Sequence, residues 1–356
     1  MPRNDLEAYF ASLGEKPFHA RQVMRWMYRH SVLDPSEMTD LSISLRERLS
    51  AEIDLQLPDV TSRQQSEDGT VKWLINVGNG QEIETVFIPE DTRGTLCVSS
   101  QVGCAMDCPF CATGQQGFNR NLTAAEIIAQ VLVAMRDLGG ALADSIISNV
   151  VFMGMGEPLG NFRELVRVCD LLTDDLGFGL SRRRVTVSTS GLVPQIRKLA
   201  QQTNVALAVS LHAPDDELRN VLVPINKLHP IAELLDACWD YVNDTNSRQI
   251  TFEYIMLDGI NDRIYQSNAL AKLLRGRPAK VNLIPFNPVA GTPYGRSSQE
   301  AMDAFRDALI RQGIVTITRR PRGDDIDAAC GQLAGNLDNR VLVPLAQKMS
   351  SIMGKA

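Results

Sequence analysis

The sequence predicts an α/β fold: a partial (β/α) barrel preceded by a small helical module and a hairpin region. Three observations predict it. Past about residue 120, helix-like and strand-like segments alternate strictly, the pattern of parallel strands joined by crossover helices. The stretches GMGEP, STSG, SLHA and PFNP all fall where those strands end, and open parallel sheets gather their chemistry at that carboxyl edge. With 356 residues, 44% of them hydrophobic, the chain can bury a substantial core.

Taken in order, residues 1–55 read as a helical accessory domain. In HARQVMRWMYRH, Val23, Trp26, Met27 and His30 recur at spacings of three and four, and LSISLRERLSAEI follows a polar Thr39–Asp40 start. Residues 56–89 change character to short strands, VKWLINV and EIETVFIP, set off by the turn signals EDGT and GNG; they form a β-hairpin connector. Residues 90–335 form the core. There TAAEIIAQVLVAMRDLG and FRELVRVCDLLTDDL read as helices before the strands ISNVVFMGMG and RRVTVSTSG, and VALAVSLHA, RQITFEYIML and AKVNLIPFN continue the alternation, with IAELLDACWDYVND as a further helix. Residues 336–356 are a tail.

The formal net charge of −6 argues against holding nucleic acid through an overall field. Local basic clusters remain, Arg182, Arg183 and Arg184, and Arg319, Arg320 and Arg322; each reads as solvated surface. The first residues show no basic segment leading into an apolar core, and no window approaches the roughly 18 uninterrupted apolar residues of a membrane span. A cytoplasmic protein with no membrane partner is expected. In that compartment thiols stay reduced, so clustered cysteines point to metal or catalysis before disulfides.

Four of the seven cysteines fall in CVSSQVGCAMDCPFCATG. Cys104, Cys108 and Cys111 form C-x3-C-x2-C. A structural zinc site wants four ligands, and no histidine lies near in sequence. An iron–sulfur cube takes one thiolate per iron, so three thiols leave one iron open for a substrate. Zinc completed by Cys97 or a distant ligand is the alternative, which would make the chain a zinc-containing RNA-binding protein without enzymatic activity.

The motif resembles that of the radical S-adenosylmethionine (SAM) enzymes. Together GTLCVSSQVGCAMDCPFCATG, FMGMGEPLGN, RRVTVSTSG, VSLHAP, VNLIPFNP and RGDDIDAACGQLAG resemble the RlmN family of RNA adenine-C2 methyltransferases from about residue 84 to 335. The resemblance implies a barrel of the radical SAM type, a [4Fe-4S] cluster on Cys104, Cys108 and Cys111, and two molecules of SAM per turnover. It implies methylation of carbon 2 of adenosine 2503 in 23S rRNA, with adenosine 37 of tRNAs as a second substrate and an electron donor such as flavodoxin. A related branch methylates carbon 8; Pro158 in GMGEPL favours carbon 2.

Residue by residue, the resemblance assigns SAM binding to Gly156, Glu157, Ser188, Ser210, Leu211, His212 and Asn287. A Gly-rich strand end admits close backbone approach, and a carboxylate and an amide suit an ammonium group and ribose or adenine edges. Taken alone, GMGEP also fits a simple β–α turn and His212 a packed core histidine. Cys330 matches the family's methyl carrier, although read alone it is an incidental cysteine in a loop; the neighbouring Asp324, Asp325 and Asp327 are expected to raise its thiol pKa, partly opposed by Arg319, Arg320 and Arg322. Cys97 matches the resolving thiol that frees product through a transient disulfide. Glu84 matches the proton acceptor, though an alternating strand also displays such a carboxylate to solvent. Cys169 and Cys238 read as packing residues. Arg21, Arg25, Trp26 and Arg29 are either an RNA platform or one side of an ordinary packing helix.

Overall fold

The structure, a computed structural model, describes residues 1–53, 55–91, 93–139, 146–245 and 247–335. The tail 336–356 of the sequence reading lies outside the described residues.

The helical module comprises α1 (Arg3–Ser12), α2 (Pro17–Met24) and α3 (Ile43–Glu52). Pro17 starts α2 at a position where a missing N–H costs nothing. Ser42, not the Thr39–Asp40 pair, caps α3, its hydroxyl accepting from Leu45 N–H at 3.3 Å. Arg25–Arg29 form a turn of π-helix, whose extra residue breaks the expected periodicity. Tyr28 is therefore buried, 5.3 Å from the Phe178 ring, while His30 is exposed. The module seats on the core through Arg3 with Asp174 and Asp175, and through Arg167 with Asp5 at 2.8 Å.

The connector supplies β1 (Val60–Gln65), β2 (Val71–Asn76) and β3 (Glu82–Glu90), an antiparallel meander that continues into β4 (Arg93–Cys97). Gly69, Gly78, Asn79 and Gly80 turn it with positive φ. From β4 the sheet becomes parallel through β7 (Ile147–Phe152), β8 (Val185–Thr189), β9 (Ala206–Ser210), β10 (Ile250–Met256), β11 (Ala279–Pro285) and β12 (Val315–Thr318). A side ribbon of β5 (Gln101–Gly103) and β6 (Phe118–Asn121) flanks the cysteine loop. Among the described residues the result is one ten-stranded sheet whose seven parallel strands follow chain order.

Crossover helices α5 (Ala124–Leu138), α6 (Phe162–Thr173), α7 (Val193–Gln202), α9 (Ile231–Thr245), α10 (Ile264–Leu274) and α11 (Gln299–Arg311) alternate with the parallel strands. A Thr123–Glu126 capping box starts α5. Two short helices stand at the site: α4 (Ala112–Gln116) after the cysteine loop and α8 (Asp216–Leu222) after β9. The core includes Phe152, Val187, Val209, Phe252 and Val281 from five successive parallel strands, and Cys169 and Cys238 are buried in it without exposed surface. No helix among the described residues is long and apolar enough to cross a membrane.

Candidate active site

The carboxyl ends of the parallel strands open into a cavity of about 900 Å³. Its lining includes Cys104, Cys108 and Cys111 on one side, and Gly156, Glu157, Ser188, Ser210 and His212 on the other. The register explains the convergence. On neighbouring strands Ser210 pairs with Glu253 and Glu253 with Asn282, so three polar side chains lie in one row across β9, β10 and β11.

The cysteine loop hangs between β5 and α4. Gly103 must be glycine: at φ +75, a Cβ there would lie 2.0 Å from the Gly117 carbonyl oxygen. Burial pushes all three thiols upward, and at Cys104 and Cys108 the neighbouring thiols of the triplet add to it. Such a trio is unfavourable as three free thiolates and needs a cation to hold it. Among the described residues, no group of three or more His, Cys, Asp or Glu is arranged to hold a single metal ion. Cys104, Cys108 and Cys111 share one cavity wall.

Gly156 stands at φ +99, where a Cβ would come within 2.5 Å of Gln101 Cβ; the backbone approaches because nothing larger fits. Glu157 is buried, which raises its carboxyl, and it is fixed by accepting from Ser190 N–H at 2.7 Å and Leu159 N–H at 3.1 Å. Ser188 donates to the Phe152 carbonyl at 2.7 Å. His212, at φ +60, accepts at Nδ1 from Ile255 N–H at 3.0 Å, so the neutral ring carries its proton on Nε2. Burial, then the Arg219 charge, push its pKa down to about 3. Leu211 is buried behind the cavity, and its carbonyl accepts from Arg219. Asn287 lines a second cavity and donates to the Cys330 carbonyl at 3.4 Å.

That second cavity, about 570 Å³, also holds Cys97, at the end of β4, and Cys330. Cys330 lines both cavities. Burial, and then Cys330, push the Cys97 thiol up to about 12. Glu84 belongs to neither: it lines a third cavity, pairing with Lys72 at 3.1 Å and accepting from Ala334 N–H at 2.8 Å.

The aspartates beside Cys330 do not face its sulfur as the sequence suggested. Asp325 accepts from Ser66, Asp324 pairs with Arg296 at 3.5 Å, and Asp327 accepts from Gln332 at 3.4 Å. The sulfur's charged neighbour is Arg319, which donates to it at 3.4 Å; this arginine is not solvated surface. Three members of the suggested RNA platform have partners within the chain: Arg21 with Glu7, Trp26 with Asp40, and Arg29 with the Asp175 carbonyl. The sequence reading named Arg319 only within a basic cluster that partly opposes the aspartates at Cys330, and it missed Glu253 and Arg219. Glu253 had a signal, a charge inside the apolar strand RQITFEYIML.

Comparison with known proteins agrees with this arrangement. Residues 1–55 match the Ribosomal RNA large subunit methyltransferase N-terminal domain, and residues 98–267 match the Radical SAM superfamily. A radical SAM methyltransferase from Sphaerobacter thermophilus superposes with a TM-score of 0.87 at 45% identity, over 94% of this chain and 97% of the other. The chain belongs to the RlmN family of radical SAM methyltransferases. More distant likenesses include a domain of pyruvate-formate lyase-activating enzyme from Bacteroides vulgatus (16% identity, TM-score 0.39, 49% of this chain and 99% of the other) and Streptococcus suis SuiB (13%, 0.47, 64% and 49%). As an RlmN-family enzyme the protein uses a [4Fe-4S] cluster and SAM, and the clustered thiols, the glycine cradle and the polar strand ends fit both groups.

Proposed function

We propose that this enzyme methylates carbon 2 of adenosine 2503 in 23S rRNA, and adenosine 37 of tRNAs, with Cys330 as methyl carrier and Cys97 as the thiol that frees the product. The position of Cys330 carries the reading: it lines the cofactor cavity and also the cavity that holds Cys97. One sulfur can then serve both a donor on one side and a resolving thiol on the other.

Carbon 2 of adenine is an electron-poor ring carbon without a lone pair, so it cannot displace a methyl group from a sulfonium by polar attack. When bound, the cluster on Cys104, Cys108 and Cys111 and two molecules of SAM per turnover supply the methyl group and a 5'-deoxyadenosyl radical, with the electron from a flavodoxin-like donor. Gly156, Glu157, Ser188, Ser210, Leu211, His212 and Asn287 bind and orient SAM. Among them Glu157 offers carboxylate oxygens to the ammonium group, and His212 offers its Nε2–H as a donor.

Cys330 carries the methyl group as a thioether; one hydrogen atom leaves that methyl group for the 5'-deoxyadenosyl radical, the carbon so freed bonds to carbon 2 of the base, and the adduct would return one electron to the cluster. Glu84 takes the carbon 2 proton, exchanging its present bonds to Lys72 and Ala334 as the loop yields to RNA. The Cys97 thiol, protonated at rest, loses its proton and attacks the Cys330 sulfur. A sulfur–sulfur bond forms, the sulfur–carbon bond breaks, and its electron pair stays on the new methyl carbon, which takes a proton. Reduction of the Cys97–Cys330 disulfide resets the enzyme. The work is divided among accessory domain 1–55, connector 56–89 and core 90–335 in the cytoplasm.

The test is nucleoside mass spectrometry of 23S rRNA fragments and tRNA after reaction. The expected product is 2-methyladenosine from wild type and none from Cys330→Ala. Methylation by Cys330→Ala would refute the carrier role, and 8-methyladenosine would refute the regiochemistry.

A further inference from the structure

Cys330 sits in the wall between two cavities, and something must aim its sulfur. We propose that Arg319, anchored by Glu253, is the positioning residue that presents the Cys330 sulfur to the methyl donor; this rests on the reading of Cys330 as methyl carrier.

Arg319 follows β12, and its N–H donates to the Leu283 carbonyl at 2.8 Å, so its backbone is tied to β11. From there the guanidinium forks. Nη1 donates to Cys330 Sγ at 3.4 Å, and Nη2 donates to Glu253 Oε1 at 2.9 Å and approaches Met153 Sδ at 3.5 Å. Glu253, only 4% exposed, is itself fixed, because Asn282 Nδ2 donates to the same oxygen at 3.0 Å. Arg319, Met153 and Cys330 line both cavities, whereas Arg320 and Arg322 line only the second. Burial works against the Arg319 cation, but Glu253, Cys330 and Cys97 outweigh it and keep it protonated.

The chemistry gives this pair a use. In the first transfer a bond forms between the Cys330 sulfur and the methyl carbon; the sulfonium carbon–sulfur bond breaks, and its electron pair leaves with S-adenosylhomocysteine. A thiolate and a sulfonium become two neutral thioethers. A donor with a fixed backbone and a fixed counter-ion holds the thiolate in line before transfer, and Glu253 still compensates Arg319 once the sulfur is neutral. The second oxygen of Glu253 has no hydrogen-bond partner among the described residues, and the residue lines the cofactor cavity, so it is an acceptor for a donor group on the bound cofactor.

The test uses cluster-loaded protein, with Cys330 methylation followed by peptide mass spectrometry at several SAM concentrations and S-adenosylhomocysteine binding measured by equilibrium dialysis. Arg319→Met should slow the maximal rate of Cys330 methylation by roughly 10- to 100-fold, the span expected for one charge-assisted hydrogen bond, and leave binding within about twofold. Arg319→Lys should recover part of the rate, since it restores the cation without the fork. Glu253→Gln should slow methylation and also weaken binding. Methylation of Arg319→Met at the wild-type rate, or a loss explained wholly by weaker binding, would overturn this proposal alone. Absence of methyl on wild-type Cys330 would overturn the carrier reading and this proposal with it.

Discussion

Replacing Arg219 with methionine should unsettle both the fold and the cofactor cavity. Arg219 has no exposed surface. Its guanidinium donates to the carbonyls of Leu211 (3.1 Å), Ser190 (2.7 Å) and Ser210 (3.0 Å) and to Asn226 Oδ1 (2.8 Å). Asn226 cannot turn to compensate, because its amide nitrogen is held by Asp216 and Asn220 at 2.8 Å each. Methionine fills the stem and satisfies none of the four acceptors. At about 1.5 kcal/mol for each lost bond to a charged donor, the loss is roughly 6 kcal/mol. Removing the charge returns part of this: burial lowers the Arg219 pKa from 12.5 to about 10, a penalty of about 3 kcal/mol at 1.36 per unit. The net is roughly 3 kcal/mol. With about 2.1 cal/mol/K of unfolding entropy per residue over 356 residues, that is a fall in melting temperature of about 4 °C. Because Ser190 and Ser210 line the cavity, S-adenosylhomocysteine should also bind about tenfold more weakly, near 1.4 kcal/mol. Thermal unfolding by circular dichroism and equilibrium dialysis read both. A melting point within about a degree of wild type, with unchanged affinity, would refute the assignment of Arg219 as the clamp on the ends of β8 and β9.

Cys108→Ser should yield protein with little iron or sulfide after anaerobic reconstitution, measured by elemental analysis, since on the proposed assignment each of the three thiols would hold its own iron. Gly156→Ala should abolish detectable S-adenosylhomocysteine binding while the protein still folds, because the new Cβ meets Gln101 and φ is positive. His212 makes stability pH-dependent. The unfolded chain takes up its proton near 6.5 and the native state only near 3, so between those values the unfolded state binds more protons, and stability is lost as pH falls from about 6.5 to about 3, by an amount on the order of 5 kcal/mol. Glu157, with its carboxyl raised, contributes with the opposite sign. Denaturant titrations of wild type and His212→Gln across that window should show a flatter profile for the variant.

The alternation of helix and strand was legible because each crossover helix carries an apolar stripe and each parallel strand a near-continuous apolar run. The strand-end motifs were legible for a related reason: Gly156 and Gly103 sit where only glycine fits, and such positions leave a mark in sequence. The frame of the first module was not legible, since a π-turn at Arg25–Arg29 adds one residue to the register without any breaker to announce it. Nor was the environment of Cys330. Sequence proximity put three aspartates beside the thiol, whereas a hydrogen bond to the hairpin and an ion pair with Arg296 draw two of them away, and a distant pairing with Glu253 fixes which of the neighbouring arginines, Arg319, meets the sulfur. Glu84 illustrates the same limit, being spoken for by Lys72 and by the backbone of Ala334, a residue 250 positions away.

The central claim is that one sulfur carries the methyl carbon onto the base and a second sulfur releases it. The most direct measurement uses Cys97→Ala, reacted with SAM and a 23S rRNA fragment, digested with nuclease and protease, and sequenced by mass spectrometry. A stable crosslink is expected, joining Cys330 through one carbon to carbon 2 of adenine. Free methylated RNA with no crosslink, or a crosslink at another residue, would contradict it.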